Sequence, residues 1–135
     1  RVEGWSGLVT IQLHGQACAP PADHPPSGHA HGPTPQKYGR QALAACVAAG
    51  IATTAANRGI ELTKIDSVAQ GSIDVQGVLG IDPDVRNGFS AIEVVVDIDG
   101  DAPREDLDAL ISASVKRSAV FDIVTAPTQA VVRPK

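Results

Sequence analysis

From Gly4 to His14 the residues Leu8, Val9, Ile11 and Leu13 sit among Thr10 and Gln12 in a short, mostly alternating run that predicts a strand. The pattern then breaks over residues 15–32, where Pro20, Pro21, Pro25, Pro26, Gly28 and Gly32 remove backbone donors and disfavour regular pairing, so a long loop follows. Thr34 suits a cap, Pro35 a first helical position, and Gly59 followed by Ile60 a left-handed stop. Between them the spacing predicts a helix of about 23 residues, near 35 Å long. Its body carries Leu43, Val47 and Ile51 on an Ala-rich background with Gly39 and Gly50, and no charge falls between Arg40 and Arg58. A helix apolar all round is a buried one, and its small residues suit close packing against another helix, its own copy in a dimer included.

Two β-patterned runs come next, Leu62 to Val78 and Phe89 to Ile98, separated by a turn-rich stretch from Gly80 to Gly88. Ile92, Val94, Val96 and Ile98 alternate with Glu93, Asp97 and Asp99, the pattern of a sheet with one wet face, and a long hairpin is the natural reading. Pro103 then opens a second helix with Glu105 and Asp106 in its first turn and Lys116 and Arg117 in its last, both complementing the macrodipole. Leu107, Leu110, Ile111 and Val115 form its apolar stripe. Thr128 to Val132 suits a final edge strand before Pro134. The order β, long helix, β-hairpin, helix, β predicts an α+β fold in a single domain, residues 1–135.

Composition narrows the function. The net charge is −4, with 11 basic against 15 acidic residues and no basic run, so neither nucleic acid nor an anionic membrane is an expected partner. No apolar run reaches the roughly 18 to 20 residues that span a bilayer, and Arg1-Val2-Glu3-Gly4 opens without a hydrophobic signal core, which points to a cytoplasmic protein. Two cysteines, Cys18 and Cys46, are too few for a disulfide scaffold, and their spacing fits no zinc motif. His24, His29 and His31 with Asp23 raise a metal site, but the spacing matches no closed site and a solvated His-containing loop is the expectation. Asp97, Asp99 and Asp101 read as solvated or capping groups, since no glutamate follows at calcium-loop spacing. Thr53, Thr54 and Asn57 read as groups bonding the preceding turn or a neighbouring helix. No metal and no cofactor is expected.

Gly32-Pro33-Thr34-Pro35 leading through Ala44-Ala45-Cys46 to Gly59-Ile60 resembles the osmotically inducible protein C (OsmC) and organic hydroperoxide resistance family. The similarity continues through Ile65-Asp66-Ser67, Ser72-Ile73-Asp74 and Ser118 to Val124 before Pro127, and more weakly in the strand containing Trp5. The resemblance implies an intertwined homodimer with two long central helices wrapped by sheets from both chains and an active site at the subunit interface. It also implies that Cys46 is the peroxide-attacking thiolate, which passes through a sulfenic acid.

Three family features depart from the pattern. The glutamate ten residues before the cysteine is Gln36, which can hydrogen-bond a guanidinium but cannot pair its charge. No arginine lies in the first-strand loop, which leaves Arg40, then Arg1, as substitutes. The second cysteine corresponds to Ser118, whose hydroxyl cannot close a disulfide, so Cys18 is the only other thiol able to resolve Cys46 within the chain. Activation of Cys46 needs outside help, because it lies mid-helix, where its own helix dipole gives little and burial would raise its pKa. Two readings stay open: a one-cysteine peroxidase that reduces organic hydroperoxides with an external thiol reductant, and a non-catalytic protein binding a small apolar ligand at the dimer interface with Cys46 as an inert packing residue. A guanidinium within reach of the Cys46 sulfur would separate them.

Overall fold

The structure, a computed structural model, describes residues 2–10 and 35–135. Its elements are β1 (Val2–Thr10), α1 (Pro35–Arg58), β2 (Leu62–Ile73), α2 (Val75–Val78), β3 (Phe89–Gly100), α3 (Arg104–Arg117) and α4 (Ala119–Thr125). The strands form one antiparallel sheet in the order β1-β2-β3. The predicted hairpin is β2 with β3, registered Ile65 to Ile98, Ser67 to Val96 and Ala69 to Val94, but its first run stops at Ile73 and the tail expected as strand, Val75–Val78, is α2, capped by Asp74. Because side chains alternate across a strand, Ile65, Ser67, Ala69 and Ile98 are buried while Glu93, Asp97 and Asp99 stay exposed on the wet face. Lys64 bridges Asp66 and Asp97 on that face.

α1 lies on the dry face of the sheet and α3 packs beside it. Leu43, Val47, Ala48, Ile51 and Ala55 from α1, Ile65 and Ile98 from the sheet, and Leu107 and Leu110 from α3 make the core. Their spacing on α1 is one helical stripe. The expectation of a helix buried all round holds for that stripe only, since Ala42, Ala49, Thr53 and Ala56 on the other side are exposed in the single chain. The helix stops as its sequence predicts: Gly59 takes φ +70° and the Ile60 amide bonds back to the Ala55 carbonyl. Gly50 lets α3 approach so closely that a Cβ there would collide with the Ser114 hydroxyl.

Two buried hydroxyls fix α1 on both sides. Ser67 of β2 donates to the Ala44 carbonyl at 3.1 Å, and Ser114 of α3 donates to the Val47 carbonyl at 2.6 Å. Both serines are buried, so leaving either hydroxyl unpaired would cost about 1–3 kcal/mol. Cys46 sits in the turn between these two anchors.

The last edge strand does not form. Thr128 to Val132 is irregular and exposed, and a helix, α4, precedes it. A β-branched run becomes a strand only where a sheet edge is in reach, whereas here Ser118 turns the chain into a helix packed on α1. The predicted strand Gly4–His14 is described as far as Thr10 within β1. Ile11 to Thr34, with the Pro/His loop at 15–32, lie outside the described residues, as does Arg1.

Candidate active site at Cys46

Cys46 projects from the middle of α1 and is partly exposed. What faces it is the junction between α3 and α4. Ser118 ends α3 and begins α4, with an extended backbone (φ −75°, ψ 114°) suited to a cap. Its Oγ accepts from the Phe121 amide at 3.1 Å, satisfying one of the orphan donors at the start of α4. The same hydroxyl donates to the Cys46 sulfur at 3.2 Å. One oxygen thus accepts from the helix and passes its own proton toward the thiolate.

Direction of charge follows from these donors. The Ser118 hydroxyl is the leading cause that lowers the Cys46 pKa below that of an ordinary thiol, and the Val120 amide adds to it. Burial opposes them by raising it, and the Ala119 amide lowers it again. The net shift is downward because three donors point at the sulfur and its desolvation is only partial. The dipole of α1 itself gives little at this mid-helix position. The help comes instead from amides at the start of a different helix, 72 residues along the chain from the cysteine.

Sequence reasoning missed the Val120 and Ala119 amides, which carry no side-chain signature. The available signal was local: a serine followed four residues later by Asp122, a cap and an acid in the first turn.

The other sequence candidates fall elsewhere. Arg40 is 2% exposed, and its guanidinium is turned toward the sheet, with Nη1 3.5 Å from the Ala69 carbonyl and the group 5.6 Å from the centre of the Phe89 ring. Gly71 makes room for that ring. Arg40 Nε is buried without a hydrogen-bond partner, and burial pushes the guanidinium pKa down. Arg40, the first choice as the cation at the cysteine, therefore stands over β2 and not at Cys46. Gln36 is exposed in the first turn of α1, about 15 Å along the helix axis from Cys46. Among the described residues, Ser118 is the family position that the fold brings to the sulfur. Cys18 and the three loop histidines lie outside the described residues.

The remaining candidates have structural roles. Thr53 and Thr54 donate to the Ala49 and Gly50 carbonyls, one turn back, as expected of threonines inside a helix. Asp101 accepts from the Glu61 amide and Asp99 from that of Gly100. Among the described residues no group of three His, Cys, Asp or Glu side chains is arranged to hold a metal ion, and no helix is long and apolar enough to cross a membrane.

Comparison with known proteins agrees with this fold. Solved structures similar to this chain include an OsmC-like protein from Mycoplasma pneumoniae, with TM-score 0.62 and 20% identity over 73% of this chain and 66% of that one. Another is an OsmC-like hydroperoxide resistance protein from Jannaschia sp. CCS1, with TM-score 0.57 and 20% identity over 80% of this chain and 70% of that one. At such identity the likeness is one of fold, and this chain spans about two thirds of the length of these relatives. No curated protein sequence matches. The family profile described as OsmC-like protein matches residues 28–133, a span that contains α1, Cys46 and Ser118, and on that match the chain belongs to the OsmC-like family.

Proposed function

We propose that the protein is a one-cysteine, thiol-dependent reductase of organic hydroperoxides, serving oxidative stress defence, with Cys46 as the attacking thiol. The observation that carries this reading is the Ser118 hydroxyl donating to the Cys46 sulfur at 3.2 Å, which, with the Val120 and Ala119 amides, lowers the thiol pKa. A thiolate attacks one peroxide oxygen, the O–O bond breaks, and the other oxygen leaves with a proton as an alcohol. The sulfur is oxidised by two electrons to a sulfenic acid. Amides and a hydroxyl aimed at a sulfur also suit the sulfenate that follows, since both are anions. The hydroperoxide resistance neighbour supports the same class of substrate.

Ser118 occupies the place from which a second thiol would resolve Cys46, and a hydroxyl forms no disulfide. With no thiol at that position and Cys18 outside the described residues, the proposed cycle is completed by an external thiol reductant, which fits a reducing, cytoplasmic setting. The working unit is a homodimer: the exposed face of α1, with Ala42, Ala49, Thr53 and Ala56, is small and nearly uncharged, and a second copy would cover it. Gln36 and any cation would act across that interface.

A second reading, a non-catalytic binder of a small apolar ligand at the interface, is favoured by one observation. Among the described residues no guanidinium hydrogen-bonds the sulfur, and Arg40 faces the sheet. The test is the rate of Cys46 oxidation by an organic hydroperoxide and by hydrogen peroxide, read by mass spectrometry with a sulfenic-acid trap and Cys46→Ser as control. Fast oxidation that prefers the organic peroxide supports the peroxidase; oxidation no faster than an ordinary free thiol supports the binder.

A further inference from the structure

A groove of about 450 Å³ runs along the outer side of the α1–α3 pair, lined by Thr54, Asn57 and Arg58 of α1 and by Ser112, Lys116 and Arg117 of α3. The two helices are antiparallel, since Cys46 meets Ser118 and Gly50 meets Ser114. Helical side chains lean toward the N-terminus of their own helix. The basic residues in the last turns of two antiparallel helices therefore lean toward one another, which gathers three cations over one groove. Among the described residues no carboxylate lines it. Among the described residues Arg58, Lys116 and Arg117 make no ion pair, although the chain as a whole carries a net charge of −4. Local positive charge on an acidic protein is a recognition feature for an anion.

The groove is also placed to serve the cysteine. Cys46, Gly50, Thr54 and Asn57 follow at spacings of four, four and three, so they share one face of α1. Thr54 is two turns, about 12 Å, along that face from Cys46. Lys116 and Arg117 immediately precede Ser118, which touches the sulfur.

We propose that this groove holds the carboxylates of a small anionic thiol and so selects it as the reductant of oxidised Cys46. The inference rests on the peroxidase reading above. The thiol sulfur attacks the Cys46 sulfenic acid, an S–S bond forms, and the sulfenic oxygen leaves as water with the thiol proton. A second molecule of the same thiol then attacks the outer sulfur of the mixed disulfide. It releases the small disulfide and returns Cys46 as a thiolate, so two thiols are oxidised for each peroxide reduced.

The experiment has two arms, both with the full chain. In the first, S-methylglutathione, which carries two carboxylates and no thiol, is titrated into the reduced protein and followed by NMR, with its diethyl ester and inorganic phosphate as comparators. This arm needs no reaction at Cys46. Saturable shifts at the groove residues with S-methylglutathione, absent with the ester and lost in Arg58→Gln/Lys116→Gln/Arg117→Gln, support the site. Equal binding of phosphate and the tripeptide overturns the thiol assignment, and no saturable binding overturns the site. In the second arm, Cys46 is converted to sulfenic acid with one equivalent of hydrogen peroxide, and the rates of its reduction by glutathione and by glutathione diethyl ester are compared. Glutathione, with its two free carboxylates, reacts roughly tenfold faster than its diethyl ester in the natural protein, an advantage that falls toward unity at high salt and in the triple variant. Equal rates for the two thiols in the natural protein overturn the proposal while leaving the peroxide step intact. Slow Cys46 oxidation alongside clear binding in the first arm would instead sink the peroxidase reading.

Discussion

The contact between Cys46 and Ser118 predicts that Ser118→Cys restores an intramolecular redox pair. In a Cys18→Ser background the new thiol would stand where the hydroxyl now lies 3.2 Å from the Cys46 sulfur. A disulfide of about 2.05 Å then requires an approach of little more than 1 Å, within the reach of side-chain rotation. The bond would close a loop of 72 residues. Loop-closure entropy at that length gives about 4 kcal/mol of stabilisation to the oxidised form. Against it stands the loss of the serine cap on α4, which costs about 1 kcal/mol. The net gain of about 3 kcal/mol corresponds, in a chain of this size, to a rise in Tm of about 10 °C. The reduced variant should instead melt a few degrees below its parent. One equivalent of organic hydroperoxide followed by peptide mapping without reductant should show the Cys46–Ser118→Cys bridge, and thermal melts with and without reductant should show the separation. Accumulation of sulfinic acid on Cys46 without a bridge, or identical melts, would refute the placement of Ser118 at the sulfur.

Ser118→Ala removes both the leading donor to Cys46 and the α4 cap. It should raise the thiol pKa, slow reaction with hydroperoxide near neutral pH while sparing it in alkali, and cost about 1 kcal/mol in urea denaturation. Gly50→Ala gains helix propensity but drives a methyl into the buried Ser114 hydroxyl, so chemical denaturation should show a net loss of about 1–3 kcal/mol, partly recovered by adding Ser114→Gly. Arg40→Met exchanges a buried guanidinium with an unpartnered Nε for an apolar chain of similar length. Stability should stay within about 1.5 kcal/mol, and the pH profile of Cys46 alkylation should not move, because that cation faces Ala69 and Phe89.

Much of the fold is legible in the residues because its signals are local. Gly59 and Ile60 end α1 where the pattern places the stop, the alternation from Ile92 to Ile98 sorts wet from dry positions, and Leu107 and Leu110 mark the buried side of α3. Where tertiary contact decides, the pattern fails. Val131 and Val132 have the composition of a strand but reach no edge, and the run after Ser118 forms α4. The site divides in the same way. Cys46 and the position of Ser118 are legible from the resemblance, whereas the lowering of the thiol pKa depends on backbone amides that any residue carries. Arg40 shows the opposite failure. A cation six residues before a helical cysteine lies on a different face, and on this helix that is the face against the sheet.

The account turns on whether Cys46 is an activated thiol in the absence of a described cation. Titration of its ultraviolet thiolate absorbance in the Cys18→Ser protein measures this directly, with Cys18→Ser/Cys46→Ser as the blank. The donors at Ser118, Val120 and Ala119 predict a midpoint below that of an ordinary free thiol. Because the folded-state pKa is the depressed one, Cys46 should add stability relative to Cys46→Ser above the unfolded thiol pKa, and that increment should vanish as pH falls through the folded value. A midpoint at or above the ordinary value would show that burial outweighs the donors and would contradict the account.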